Sequence, residues 1–201
     1  WADFASEYPY NELRACCKQG GRALVQRIAD RYHTWEETFG LAGLVSKCLV
    51  QSLFGYAYLC PDMVGGGQYS DFLGKSGSDL DRELFIRYCQ AAALMPMMQF
   101  SFDYWRVFDA ETIAICNRFA ALHEQFGDYI MKCAREAAAG GLPIIRNMAM
   151  QFDDLYDVKD QFMLGDDYLV APVLKPGVTK REVRLPAGRW LYVPTGEEIM
   201  G

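Results

Sequence analysis

Short apolar runs alternate with helix-period segments through the first two thirds of the chain, and that alternation limits the folds open to it. "ELRACC" (12–17) and "ALVQRIAD" (23–30) are short, apolar and separated by "KQGGR", as buried strands are. A helix is predicted where Leu41, Leu44, Val45, Cys48 and Leu49 share one face, closed by Gly55. "YAYLC" (56–60) reads as a third strand. Ser78 or Asp79 is expected to cap a helix whose apolar face is Leu84, Phe85, Tyr88, Ala92 and Met95, with Pro96 as its stop. "MMQFS" (97–101) reads as a fourth strand. A longer helical region then runs from about Asp109, its stripe Cys116, Phe119, Leu122, Phe126, Ile130, Cys133 and Ala137. It has a break at Gly127 and a stop at Gly140-Gly141. Strands separated by helices of this length imply βα units and a parallel sheet, hence an α/β class.

After about Pro143 the helical period is gone. "DQFMLGDDYLVAPVL" reads as two strands about a Gly-Asp-Asp turn, and "KREVRLPAGRWLYV" as alternating strands turning at Pro186-Ala187-Gly188. The expected organisation is one unit over 1–142 and the beginning of an antiparallel β unit over 143–201. The chain begins at Trp1 without Met, as an excerpt of a longer protein would.

The Gly-rich stretch "PDMVGGGQYSDFLGKSG" (61–77) raises the choice between a phosphate loop and a sugar site. A phosphate loop needs four residues between its first glycine and Gly-Lys-Ser. Here six separate Gly67 from Gly74, and "GSDLD" follows, acidic where a phosphate would approach. A net charge of −6 also disfavours nucleic acid and anionic membranes, and no apolar run is long enough to span one. Seven Cys without a Cys-x-x-Cys pair read as buried, reduced thiols of a cytoplasmic protein. His33 and His123 complete no metal spacing, so neither metal nor cofactor is expected. What remains is a strand end that delivers Asp62 to the mouth of a sheet. Arg14, Asp30 and Ser101 stand at the equivalent places of the other strands. Carboxylates and a guanidinium gathered there suit polyhydroxylated ligands, whose vicinal hydroxyls donate to carboxylates.

Four segments together carry a resemblance: "ELRACCKQGGRALVQRIADRYHTW", "GLAGLVSKCLVQSLFGYAYLCPDMVGG", "ELFIRYCQAAALMPMMQFS" and "DQFMLGDDYLVAPVLKPG". With these the chain resembles glycoside hydrolase family 31, over nearly its whole length. The nearest branch has Asp-Arg-x-x-x-Trp in place of the commoner Trp-x-Gly-Asp. The resemblance implies the second half of a (β/α)8 TIM barrel followed by the start of an antiparallel β-sandwich domain. It implies a retaining α-glycosidase acting on α-linked oligosaccharides or glycosides. By motif, Asp30 takes the acid/base role, Arg14 (sixteen positions earlier) binds sugar, with a structural ion pair to Glu12 or Asp30 as the alternative, and Asp62 takes the place of the family's Asp-Ile-Gly-Gly carboxylate. The nucleophile belongs to an earlier strand, upstream of Trp1.

The sequence departs from the family pattern at two places. Ser101 stands where many members have His, and Arg27 stands where the commoner pattern has Trp. Arg27 is read either as a pocket contact or as a salt bridge behind the pocket. Trp35 and Trp105 are candidate stacking surfaces for a pyranose, with ordinary packing as the alternative. His33 reads as a loop residue, and Tyr69 with "GKSG" as the mobile rim. The alternative function is a carbohydrate-binding or regulatory protein of the same fold without catalysis. Which sugar is bound and the oligomeric state are not legible.

Overall fold

The computed structural model describes residues 2–14 and 17–201. Ala15 and Cys16, part of the first expected strand, lie outside them. A single turn, α1 (Ala2–Ala5), precedes an extended stretch in which Leu13 bridges Gln26 in parallel. Strand β1 (Gln26–Arg27) pairs in parallel with β2 (Leu59–Cys60), and β3 (Met63–Val64) pairs in parallel with β4 (Gln99–Phe100). The ladders are shorter than the apolar runs that predict them. Isolated bonds lengthen them: the N–H of Gln26 reaches Tyr58 O at 3.0 Å and that of Ile28 reaches Cys60 O at 3.1 Å. β2 and β3 follow each other directly, interrupted at Pro61-Asp62, where Asp62 adopts φ +74°. Parallel pairing therefore passes from the Leu13 segment through 26–27 and 59–64 to 99–100.

Helices join these strands. α2 (Leu44–Leu53) buries Leu44, Val45, Cys48 and Leu49 and ends at Gly55, whose φ of +87° is costly for any residue with a Cβ. α3 (Arg82–Ala92) buries Leu84, Phe85, Tyr88 and Cys89. Its cap is Asp81, whose carboxylate accepts the N–H of Leu84 at 3.0 Å; Ser78 and Asp79, expected as caps, instead belong to a separate 3-10 turn. That turn holds its own capping box from Ser76 to Asp79, so the helix starts only after the box has closed. α4 (Ala110–Gln125) is capped by Asp109 and gives way at Phe126 to α5 (Gly127–Gly140), the break expected at Gly127. Gly141, at φ +79°, closes α5 with a bond to Ala137 O.

The rest is antiparallel. β5 (Ile145–Arg146), β6 (Phe162–Leu164) and β7 (Tyr168–Val170) form a sheet in that order, turning at Gly165. Side chains alternate across it. Ile145, Phe162, Leu164 and Val170 join the large core formed by α2, α3 and the parallel strands, while Met163 packs with Met148, Leu155 and Val158 on the other face. Trp190 packs against that second cluster from the hairpin β8 (Arg189–Tyr192) and β9 (Glu197–Met200). Each large side chain sealed in these clusters contributes about 1.5–3 kcal/mol.

The hairpin turns at 193–196, not at Pro186-Ala187-Gly188 as the alternation suggests. The reason lies in Gln161. Its buried side-chain amide donates to Arg184 O at 2.7 Å and accepts from Arg184 N at 3.1 Å, satisfying at that residue both backbone groups a strand partner would have taken. Cysteine also departs from expectation at one position, since Cys17 is exposed while Cys48, Cys60, Cys89, Cys116 and Cys133 are buried; these six are free thiols.

Candidate functional site

The residues that end the parallel segments are polar, and the structure joins most of them. Glu12 and Arg14 are two apart on an extended stretch and so project to the same side, as do Gln99 and Ser101 about β4. Arg14 Nη2 lies 3.0 Å from Asp30 Oδ2, both side chains partly exposed. Beside this pair runs a longer chain of contacts. Arg27 Nε lies 2.8 Å from Glu12 Oε1 and its Nη1 3.1 Å from Asp62 Oδ1, so one guanidinium bridges two carboxylates. Gln99 Nε2 donates to Glu12, and Ser101 Oγ donates to the carbonyl of Val64.

Asp62 is the buried member, with 1% of its surface exposed. Burial pushes its pKa up from the usual carboxylate value, while bonds from the N–H groups of Arg31 and Met63 and the charge of Arg27 pull it down; Asp30 nearby pushes it up again. The Arg31 N–H donates to Asp62 Oδ2 at 2.7 Å. The glycines that follow leave room for this arrangement. A Cβ on Gly67 would stand 2.5 Å from Asp62 Oδ2, and one on Gly66 (φ +104°) 2.7 Å from Arg31 O. The triple glycine therefore packs against a carboxylate and the neighbouring loop, which answers why it is there without a phosphate.

The loop after Asp30 is fixed from within. Buried Arg31 donates from Nη1 to Thr38 O at 3.2 Å and from Nη2 to Gly40 O at 2.6 Å. Tyr32 N–H reaches Phe39 O at 2.8 Å, and their rings stack with centroids 5.2 Å apart. Trp35 is tied to the helix cap rather than to the carboxylates, its Nε1 donating to Asp81 Oδ2 at 2.7 Å. Trp105 is 55% exposed and meets Tyr104 edge-on. Among the described residues no hydrogen bond or ring contact joins either tryptophan to Asp30 or Asp62. The rim has 3-10 turns at Tyr69–Asp71 and Gly77–Asp79, and "GKSG" (74–77) links them.

Sequence reasoning underrated Glu12, Gln99, Arg31, His33 and Asp81. The i, i+2 spacing of Glu12 with Arg14 and of Gln99 with Ser101 is a signal that places the first two. The contacts that bring Arg31, His33 and Asp81 to the site span 31 residues (Arg31 to Asp62) to 48 residues (His33 to Asp81), which no local pattern reports. No group of three or more His, Cys, Asp or Glu that could hold a metal ion is present among the described residues.

Residues 141–201 match the model of the glycosyl hydrolase family 31 C-terminal domain. The chain is 38% identical over 170 residues to the myogenesis-regulating glycosidase of Mus musculus, covering 82% of this chain and 24% of that protein. It is 30% identical over 181 residues to the SITS-binding protein of Tetronarce californica, covering 87% of this chain and 25% of that protein. In fold it is similar to the cycloalternan-degrading enzyme from Trueperella pyogenes, with TM-score 0.84 at 22% identity over 100% of this chain and 30% of that one. The chain spans about a quarter of the length of these curated relatives.

Proposed function

Because this chain belongs to glycoside hydrolase family 31, we propose that it supplies one side of an active site that cleaves terminal α-linked glycosides by double displacement. In this reading residues 1–142 are the second half of a (β/α)8 barrel and 143–201 begin the β-sandwich domain. The observation that carries it is the Arg14–Asp30 pair standing beside the Arg27–Asp62 pair where parallel strands end.

Asp30 serves as acid/base. It protonates the leaving-group oxygen, then accepts a proton from the water that releases the glycosyl–enzyme ester. The nucleophilic carboxylate comes from a segment outside these residues, about 5–5.5 Å from Asp30 across the anomeric carbon. Arg14, partly exposed, orients Asp30 and offers N–H donors to sugar hydroxyls. Asp62, sealed behind Arg27 with one oxygen on that guanidinium and the other on the Arg31 N–H, braces the wall of the pocket from within. Arg27, held between Glu12 and Asp62, shapes that wall through its two carboxylates. Ser101 lies at the fourth strand end, its hydroxyl turned to Val64 O. Trp35 and Trp105 remain candidate pyranose platforms at the periphery.

A second reading is ligand binding without hydrolysis, in line with the name of one relative, the SITS-binding protein. Both are tested on the full-length protein with nitrophenyl α-glycosides of glucose, galactose, xylose and sulfoquinovose, beside Asp30→Asn. The glycosidase reading expects hydrolysis of one of them, reduced about 10²–10⁴-fold in the variant. A sugar that raises the melting temperature with no hydrolysis by either protein supports the binding reading instead.

A further inference from the structure

The loop after Asp30 is joined to the loop after Asp62 through one imidazole ring. His33 Nδ1 lies 2.8 Å from Gly65 O, and His33 Nε2 lies 3.0 Å from the backbone N of Asp81. A carbonyl oxygen only accepts and a backbone N–H only donates. Nδ1 therefore carries the proton and Nε2 the lone pair, which is the neutral ring in one tautomer. The backbone of the same residue is held as well, its N–H donating to Asp71 Oδ2 at 2.8 Å. Asp81 continues the contact outward: its N–H meets His33, one carboxylate oxygen takes Trp35 Nε1, and the other caps α3. A single residue thus gathers the end of the Asp30 loop, the Gly-rich turn after Asp62 and the start of α3.

We propose that His33 is a positioning residue that holds the Asp30 loop in register with the Asp62 loop, and that it does so only as a neutral ring. Protonation at Nε2 would set its N–H against that of Asp81, removing an acceptor and opposing two donors. The groups facing the ring are the carbonyl of Gly65, the carboxylates of Asp81 and Asp71, the ammonium of Lys75 and the edge of Phe72, whose ring centroid is 5.5 Å away. Burial pushes the pKa of His33 below its ordinary value of 6.5. The Gly65 carbonyl, Asp81 and Asp71 pull it back up, and Lys75 presses it down. The folded protein then binds fewer protons here than the unfolded chain. The clasp contributes fully above about pH 6.5 and is lost as pH falls through the folded value. The proposal rests on the reading of Asp30 and Asp62 as site residues.

The experiment follows hydrogen–deuterium exchange of segment 62–81 in the full-length protein against pH, corrected for intrinsic exchange, with glycoside kcat/KM measured in parallel. Three proteins are compared: wild type, His33→Gln and His33→Ala. The Gln amide oxygen can accept from Asp81 N–H at every pH, whereas Ala accepts at none. Exchange in wild type should rise severalfold below about pH 6.5, stay flat in the Gln variant and be high throughout in the Ala variant. The acid limb of kcat/KM should move to lower pH in His33→Gln. A wild-type exchange profile that ignores pH, or one that His33→Gln reproduces, overturns the proposal. An unmoved kcat/KM profile beside a flattened exchange profile overturns the positioning role. Absence of hydrolysis in all three proteins, with exchange behaving as stated, counts against the glycosidase reading and not against the clasp.

Discussion

The backbone N–H of Arg31 donates to the buried carboxylate of Asp62 at 2.7 Å. The residue that follows Asp30 is thereby fastened to the carboxylate of the neighbouring strand end. With Arg27 on the other oxygen of Asp62, the spacing of the two aspartates depends on one buried side chain. Asp62 is accordingly a support for the segment that carries Asp30.

Removing that support should be costly. Asp62→Ala leaves a buried N–H at Arg31 without its acceptor and Arg27 with only Glu12, and a loss of about 3–5 kcal/mol is expected. Chemical denaturation of the variant and wild type at neutral pH measures it.

Asp62→Asn separates charge from shape. The raised pKa of Asp62 means that the folded state favours its protonated form. Its contribution to stability is present below the unfolded value, near 3.8, and is lost as pH rises through the folded value. The melting temperature of the Asn variant should therefore gain on wild type as pH rises through that window. Parallel melting curves across a pH series give the answer, and a gap that moves the other way contradicts the assignment.

Gly67→Ala reaches the same carboxylate from behind. Its Cβ would stand 2.5 Å from Oδ2 and 2.7 Å from Oδ1, so the carboxylate must shift. A destabilisation of about 1–3 kcal/mol is expected. It should be largely absent when the change is made in the Asp62→Ala background, which a double-mutant cycle measures.

Helices and strand positions were legible in the sequence because they rest on local periodicity. The α2 face of Leu44, Val45, Cys48 and Leu49, its end at Gly55 and the break at Gly127 follow from side-chain spacing and backbone conformation. The cap of α3 was misplaced by two or three residues because Ser76–Asp79 offers an equally good local cap to a shorter turn. The turn of the last hairpin was misplaced because alternation cannot reveal that Gln161, some 20 residues earlier, satisfies the Arg184 backbone (23 apart). Asp30, Arg14 and Asp62 were named from motif and strand-end position. That Arg27 bridges Glu12 and Asp62, and that His33 clasps two loops, comes only from tertiary contacts.

Thiol chemistry offers a check on the core. Burial pushes the Cys60 thiol up to about 12, and Cys48 is pushed up by the same cause, so neither forms thiolate near neutral pH. Iodoacetamide with peptide mapping should modify Cys17 in the native protein and spare Cys48, Cys60, Cys89, Cys116 and Cys133 until denaturant is added.

The central claim, that Asp30 is the acid/base of a retaining glycosidase, is tested most directly by chemical rescue. Asp30→Ala in the full-length protein would be given an activated aryl α-glycoside of the sugar it accepts, with and without azide. The account expects slow turnover without azide. With azide, turnover should accelerate and yield a glycosyl azide of retained α configuration, because the small anion attacks the glycosyl–enzyme without a general base. Wild-type turnover in Asp30→Ala, or a depressed rate that azide leaves unchanged with no glycosyl azide formed, would contradict it.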